Sequence, residues 1–178
     1  MYVERWLKMV WVITCGALLL LLFFGKKGFA GVNTMSDTKP ITLDDIIEYN
    51  AKEYSIPTAL IKAIIKKESS WNPYAKNPND PSYGLMGIMP IVAQEAGFVN
   101  DYKNVTQVEI NSIYVTQNNI MSGCKLLHKL LKKYNMDVAV EMYNVGERGY
   151  NELGRRNGPY RMGVLEAYQD YINEEAGV

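Results

Sequence analysis

Residues 57–73 read PTALIKAIIKKESSWNP, and the spacing inside this stretch sets the reading of the whole chain. Ile61, Ile64 and Ile65 recur at i, i+3 and i+4, the period of one helical face, so the segment is expected to be a helix from Pro57 to Ser69, with the proline in its first turn. The next position on that face, i+7, is Glu68, while Lys62 and Lys66 take other faces. A carboxyl group thus stands where an apolar side chain would continue the buried stripe. Burial there disfavours the charged form and raises the pKa, which is what a general acid near neutral pH requires. Spacing alone leaves a second reading, a glutamate at a helix end that reaches water.

The same period extends outward. Thr42 with Asp45 three residues on marks a capped helix start, running to about Tyr54. Residues 70–83 hold Pro73, Pro78 and Pro81 among Asn and Asp and are expected to form a loop. Pro90 opens a short helix ending near Gly97. A long helix is expected from about Tyr114 to Tyr134, with Ile120, Gly123, Cys124, Leu127, Leu130, Leu131 and Tyr134 on one stripe. A short helix over 137–143, a Gly-rich loop, and a last helix over about 161–173 complete a mainly α fold with weak strand signals. No internal repeat follows residue 40.

The first 27 residues differ from the rest. Residues 9–24, MVWVITCGALLLLLFF, carry no charge, and Trp6 and Leu7 extend the run past Lys8. A lysine near the end of a spanning helix can snorkel, and Trp6 and Trp11 stand where interfacial anchors do. Residues 1–27 are therefore expected to be an N-terminal transmembrane anchor. The rival is a cleaved signal segment ending at Gly28-Phe29-Ala30, against which Lys26 and Lys27 intervene between the apolar run and the site. Residues 28–40 are small, polar and aperiodic and read as a linker. Residues 41–178 are left for a single folded domain.

Composition narrows the chemistry. The chain has 19 basic and 19 acidic residues, which gives no electrostatic argument for a nucleic-acid partner. Two cysteines, Cys15 and Cys124, exclude a disulfide framework and a cysteine metal cluster, and the lone His128, in a lysine-rich helical segment, reads as a solvated histidine. Metal hydrolysis and Cys/His nucleophilic chemistry lose their usual residues.

Three ordered motifs decide between the readings of Glu68. Glu68-Ser69 is followed 16 residues later by Gly84-Leu85-Met86-Gly87-Ile88-Met89-Pro90, preceded by Ser82-Tyr83, and later by Met142-Tyr143-Asn144-Val145-Gly146. This set resembles the soluble-type (SLT) lytic transglycosylases, which share the goose-type lysozyme fold, over roughly residues 43–170. The resemblance implies a lysozyme-like helical domain in which Glu68 is the catalytic acid/base. It implies that Ser82, Tyr83 and Met86 lie along the sugar groove, and that Tyr143 and Asn144 stand across from Glu68 with the tyrosine hydroxyl near the carboxyl. Tyr160, in Gly158-Pro159-Tyr160, matches the family's late groove tyrosine. Two residues depart from the pattern. Gly87 replaces a glutamine that would contact substrate, and Met142 replaces a smaller alanine and is expected to narrow the site.

The implied activity is cleavage of the bond between N-acetylmuramic acid and N-acetylglucosamine in peptidoglycan, with formation of a 1,6-anhydro sugar and without metal or cofactor. A glycosidase that hydrolyses instead normally uses a second carboxylate, for which Asp80, Asp101 and Glu141 are candidates that no motif singles out. A third possibility is an inactive, membrane-tethered glycan-binding scaffold. The anchor implies an inner-membrane, single-pass protein with its catalytic domain on the cell-wall side. Local opening of the wall for a secretion apparatus, a pilus or a phage suits such an enzyme.

Overall fold

A computed structural model of the chain describes residues 40–177. Helix α1 (Leu43–Tyr54) begins at the expected cap: Thr42 accepts from the Asp45 backbone N–H while the Asp45 carboxylate accepts from the Thr42 N–H at 2.7 Å. Helix α2 (Thr58–Ser69) follows Pro57 and buries Leu60, Ile61, Ala63, Ile64 and Ile65 completely. Its polar side is thin, with Lys62 and Lys66 reaching Glu175 and Asp170 near the surface at 4.0 and 3.7 Å. Such exposed pairs add little stability, so α2 is held by burial. Helix α3 (Pro90–Ala96) ends at Gly97 in the left-handed conformation.

The long helix expected from Tyr114 to Tyr134 is α5 (Thr116–Leu131), and a separate helix not read from the sequence, α4 (Gln107–Tyr114), precedes it. Val115 between them is extended, and the Asn118 amide donates to the Ser112 carbonyl at 3.0 Å, occupying an acceptor that a continuous helix would use. The start of α4 is a second capping box, Thr106 with Glu109, a signal present in the sequence but outside the hydrophobic period. Helix α6 (Met136–Val145) is capped by Asn135. The Gly-rich loop contains a short helix, α7 (Glu147–Asn151), and α8 (Gly158–Ala176) starts three residues earlier than the period indicated because Asn157 caps it. Two isolated bridges, Lys76 with Tyr83 and Tyr83 with Ile88, tie down the loop after α2.

Helix α5 touches α1, α3, α4 and α6, and α2 lies against α1 and α8. Ile41–Val178 packs as one unit. His128 is half-buried: its Nδ1 donates to the Tyr54 carbonyl at 2.6 Å, linking α5 to the end of α1, so the expectation of a solvated histidine is corrected. Among the described residues no helix is long and apolar enough to cross a membrane. The expected anchor, and the expected linker up to residue 39, lie outside them.

One buried amide fixes the turn enclosed by the second bridge. Asn119 on α5 is 1% exposed, its Nδ2 donates to the carbonyls of Tyr83 and Ile113 at 2.8 and 3.1 Å, and its Oδ1 accepts from the Met86 N–H at 2.8 Å. Gly84, at φ +76°, leaves room for that amide, and a Cβ there would collide with it. Replacing Asn119 with Leu keeps the branched shape of the side chain but strands these three backbone groups. We expect a loss of about 3 kcal/mol or more in urea unfolding.

Candidate active site

Glu68 sits in the last turn of α2, one residue before the chain leaves the helix through Ser70 and Trp71, both at positive φ (48° and 67°). Left-handed backbone at two successive non-glycine residues, one of them Trp, is uncommon. It turns the chain sharply away, and the carboxyl stays at the edge of a small, partly open cleft of about 70 Å³. That cleft is lined by Glu68, Asp80, Ser82, Gly87, Tyr143 and Asn144, among others.

Burial is the main influence on Glu68 and raises its pKa from 4.5 to about 7. The Tyr160 hydroxyl opposes it by donating to Oε1 at 2.6 Å, a bond that favours the charged carboxylate. Asp80 pushes in the same direction as burial, and Lys67 against it. The result is a carboxyl that keeps its proton up to neutrality and has a hydroxyl already placed for the carboxylate left once the proton is given up. Tyr160 is itself buried and its own ionisation is pushed well above the usual value, chiefly by burial, so it acts as a donor and not as a phenolate.

The six binding residues expected from the sequence divide. Ser82, Tyr143 and Asn144 line the cleft with Glu68. Tyr160 reaches Glu68 directly from the first turn of α8. The Tyr143 hydroxyl, expected beside the carboxyl, is buried against the second motif and donates to the Met86 carbonyl at 2.9 Å, and after burial the charge of Glu68 is the next influence that raises its pKa. Met86 is fully buried, and its sulfur occupies the space a side chain on Gly123 of α5 would need, so it supports the groove from behind and does not face it. Tyr83 is also corrected. It is 8% exposed and packs edge-on against Tyr114, with ring centroids 5.5 Å apart. Side chains alternate along the bridged strand, so while Ser82 faces the cleft Tyr83 turns away from it.

The two departures from the family pattern acquire a physical meaning. Met142 is 1% exposed and its bulk goes into the core, not into the cleft. Gly87, at φ +60°, has the Glu68 carboxyl where its side chain would begin: a Cβ there would collide with Oε2 and lie 2.9 Å from Cδ. Of the candidate second carboxylates, only Asp80 lines the cleft. Asp101 is in an exposed turn with Lys103 and Asn104, and Glu141 is buried with its oxygens engaged elsewhere. Cys124 is buried and its thiol is pushed up to about 12, which removes it as a nucleophile. Asn119 was missed as a site residue; its signal in the sequence is an amide on the apolar stripe of α5.

Two outcomes follow from this geometry. Between pH 4.5 and about 7 the folded state holds a Glu68 proton that the unfolded chain releases, so this contribution to stability is full below 4.5 and is lost as pH rises through 7. Glu68→Gln does not titrate, and its stability relative to the parent should climb over that window by at most about 3 kcal/mol in urea titrations at several pH values. Gly87→Ala should cost about 1 kcal/mol or more for its left-handed backbone and displace the Glu68 carboxyl, moving its midpoint in carbon NMR titration.

Comparison with known proteins places these features in context. The family described as "Transglycosylase SLT domain" matches over residues 45–161. The membrane-bound lytic murein transglycosylase E of Buchnera aphidicola subsp. Acyrthosiphon pisum is 37% identical over 92 residues, 51% of this chain and 40% of that protein. Among solved structures, the 70-kDa soluble lytic transglycosylase of Escherichia coli superposes with a TM-score of 0.59 at 24% identity, covering 78% of this chain and 25% of that one. An inactive variant of the lytic transglycosylase Slt from Pseudomonas aeruginosa gives 0.58 at 19% identity over the same shares. The chain thus spans less than half the length of each of these proteins, and the structural likeness shows a shared, mainly helical, lysozyme-like fold. With a match over more than half of the sequence that includes Glu68, the cleft and Tyr160, the chain belongs to the transglycosylase SLT domain family.

Proposed function

We propose that this protein is a peptidoglycan lytic transglycosylase in which Glu68 serves as both acid and base. The observation that carries the reading is a single carboxyl, raised to about 7 by burial, at the edge of a cleft and bonded to one hydroxyl. Membership of the family supports it. Protonated Glu68 gives its proton to the oxygen between N-acetylmuramic acid and N-acetylglucosamine. The C1–O bond breaks with its electron pair on the departing oxygen, and positive charge develops at C1. The substrate's N-acetyl group stabilises that charge, so no enzyme nucleophile is needed. The new Glu68 carboxylate, held by Tyr160, takes the proton of the muramoyl 6-hydroxyl as that oxygen closes on C1. The product is a 1,6-anhydro sugar, and no water is consumed. Ser82, Tyr143 and Asn144 would contact the glycan strand along the cleft.

A second reading, hydrolysis, has one observation in its favour: Asp80 lines the same cleft and acts electrostatically on Glu68. Two carboxyl groups are what a water-using glycosidase requires. The apolar run at 9–24 and the relative described as membrane-bound support a tether in the inner membrane, with the folded unit on the wall side. A tethered enzyme of this size fits local opening of the wall, as a secretion apparatus, a pilus or an infecting phage requires. No cofactor or metal enters the proposed chemistry.

On purified peptidoglycan, Glu68→Gln should lower turnover by roughly a hundred- to ten-thousandfold, the usual contribution of general acid–base catalysis. The rate of the parent should fall as pH rises through about 7, where Glu68 loses its proton. Product masses lighter by one water than reducing ends identify the anhydro product; reducing ends would select hydrolysis, and full activity in Glu68→Gln would sink both.

A further inference from the structure

We infer that Glu141 is a positioning residue, which sets the start of α8 so that the Tyr160 hydroxyl meets Glu68. It lies on α6, two residues before Tyr143, and is 3% exposed. A buried carboxylate is costly unless its oxygens are engaged. Here Oε1 accepts the Asn157 backbone N–H at 2.8 Å, and Oε2 lies 3.7 Å from the Arg161 guanidinium. These two partners bracket Tyr160 in sequence. Glu141 therefore grips the first turn of α8 at its N-terminal end, where a negative charge is also favoured by the helix dipole.

Asn157 carries the grip to both sides of the cleft. Its Oδ1 caps α8 by accepting the Tyr160 N–H at 3.1 Å, and its Nδ2 donates to Asn144 Oδ1 at 2.8 Å. Asn144 lines the cleft, and Tyr160 bonds Glu68. One buried carboxylate thus fixes the backbone of the residue that ties the third motif to the late tyrosine. Both Glu141 oxygens are occupied and nearly closed to solvent, so this glutamate does not serve as the second carboxylate of a hydrolase. The ionisable groups acting on Glu68 come from four places: Tyr160 on α8, Tyr143 on α6, Asp80 in the loop, and Lys67 on its own helix. Loosening α8 removes only the first of them. Because the Tyr160 bond favours the carboxylate, its loss moves the Glu68 midpoint upward.

The inference rests on the acid role proposed for Glu68, but its test does not depend on turnover alone. In the full-length protein, the Glu68 carboxyl would be titrated by carbon NMR and turnover followed on purified peptidoglycan. The set comprises the parent, Glu141→Ala, Glu141→Gln, Tyr160→Phe and the double variant Glu141→Ala/Tyr160→Phe. Tyr160→Phe should raise the midpoint by about one pH unit, the scale of one hydrogen bond to a charged group. Glu141→Ala should raise it in the same direction and lower turnover roughly 10- to 100-fold through misplacement of the hydroxyl. The double variant should shift no further than Tyr160→Phe. Glu141→Gln keeps an acceptor for the Asn157 N–H and should titrate close to the parent. If Glu141→Ala does not fold, Glu141→Met fills the volume without accepting that bond and carries the same expectation. An unmoved midpoint in Glu141→Ala or Glu141→Met, or additive shifts in the double variant, would overturn the inference. Retained activity in Glu68→Gln would instead count against the proposed reaction and leave the titration result standing.

Discussion

The site depends on the Asn119 amide, which is buried on α5 and bonded to three backbone groups. Those bonds are made only if the turn from Tyr83 to Met86 lies directly on α5, and Gly84 makes that approach sterically open. With the turn pinned, Gly87 is brought against the end of α2 and Ser82 to the rim of the cleft. The Met86 carbonyl then faces the Tyr143 hydroxyl, which joins α6 to the same turn. A buried polar group held by several partners is costly to disturb, because any displacement leaves donors and acceptors unpaired where water does not reach. The position of the cleft wall is set by that cost more than by attraction.

Against this fixed wall, two opposed influences act on one carboxyl. Burial favours the neutral acid, and the hydroxyl of Tyr160 favours the anion. Each form has a feature that suits it, so neither is driven far from the other near neutrality. A group that must donate a proton and then recover one is best served by that balance. The missing side chain at position 87 contributes in steric terms, since the space it would take is filled by the carboxyl itself.

Much of this was legible in the sequence. The apolar period located α2 and put Glu68 on its buried face, and Thr42 with Asp45 marked the start of α1. What escaped the period was set by side chain to backbone bonding. The Thr106–Glu109 box starts α4, Asn118 bonds back to Ser112 where α4 gives way to α5, and Asn157 moves the start of α8. Within the site, the motifs named the residues but not their orientation. Met86 and Tyr83 belong to a motif that borders the cleft, yet both side chains turn into the core, because Gly123 leaves a hollow for one and Tyr114 a ring for the other. Tyr143 lines the cleft with Glu68, and only the packing of α8 on α2 reveals that the Tyr160 hydroxyl bonds the acid. No motif singles out Glu141, and its burial follows from where α8 docks.

The bond between Glu68 and Tyr160 joins positions 92 residues apart. Nearly the whole domain must be synthesised before it forms, and the helix that supplies the hydroxyl follows all the other described helices in sequence. A partly made chain holds the acid in an environment that lacks its partner and much of its cover. The reactive pair is therefore complete only when α8 lies on α2, which ties the onset of chemistry to completion of the domain.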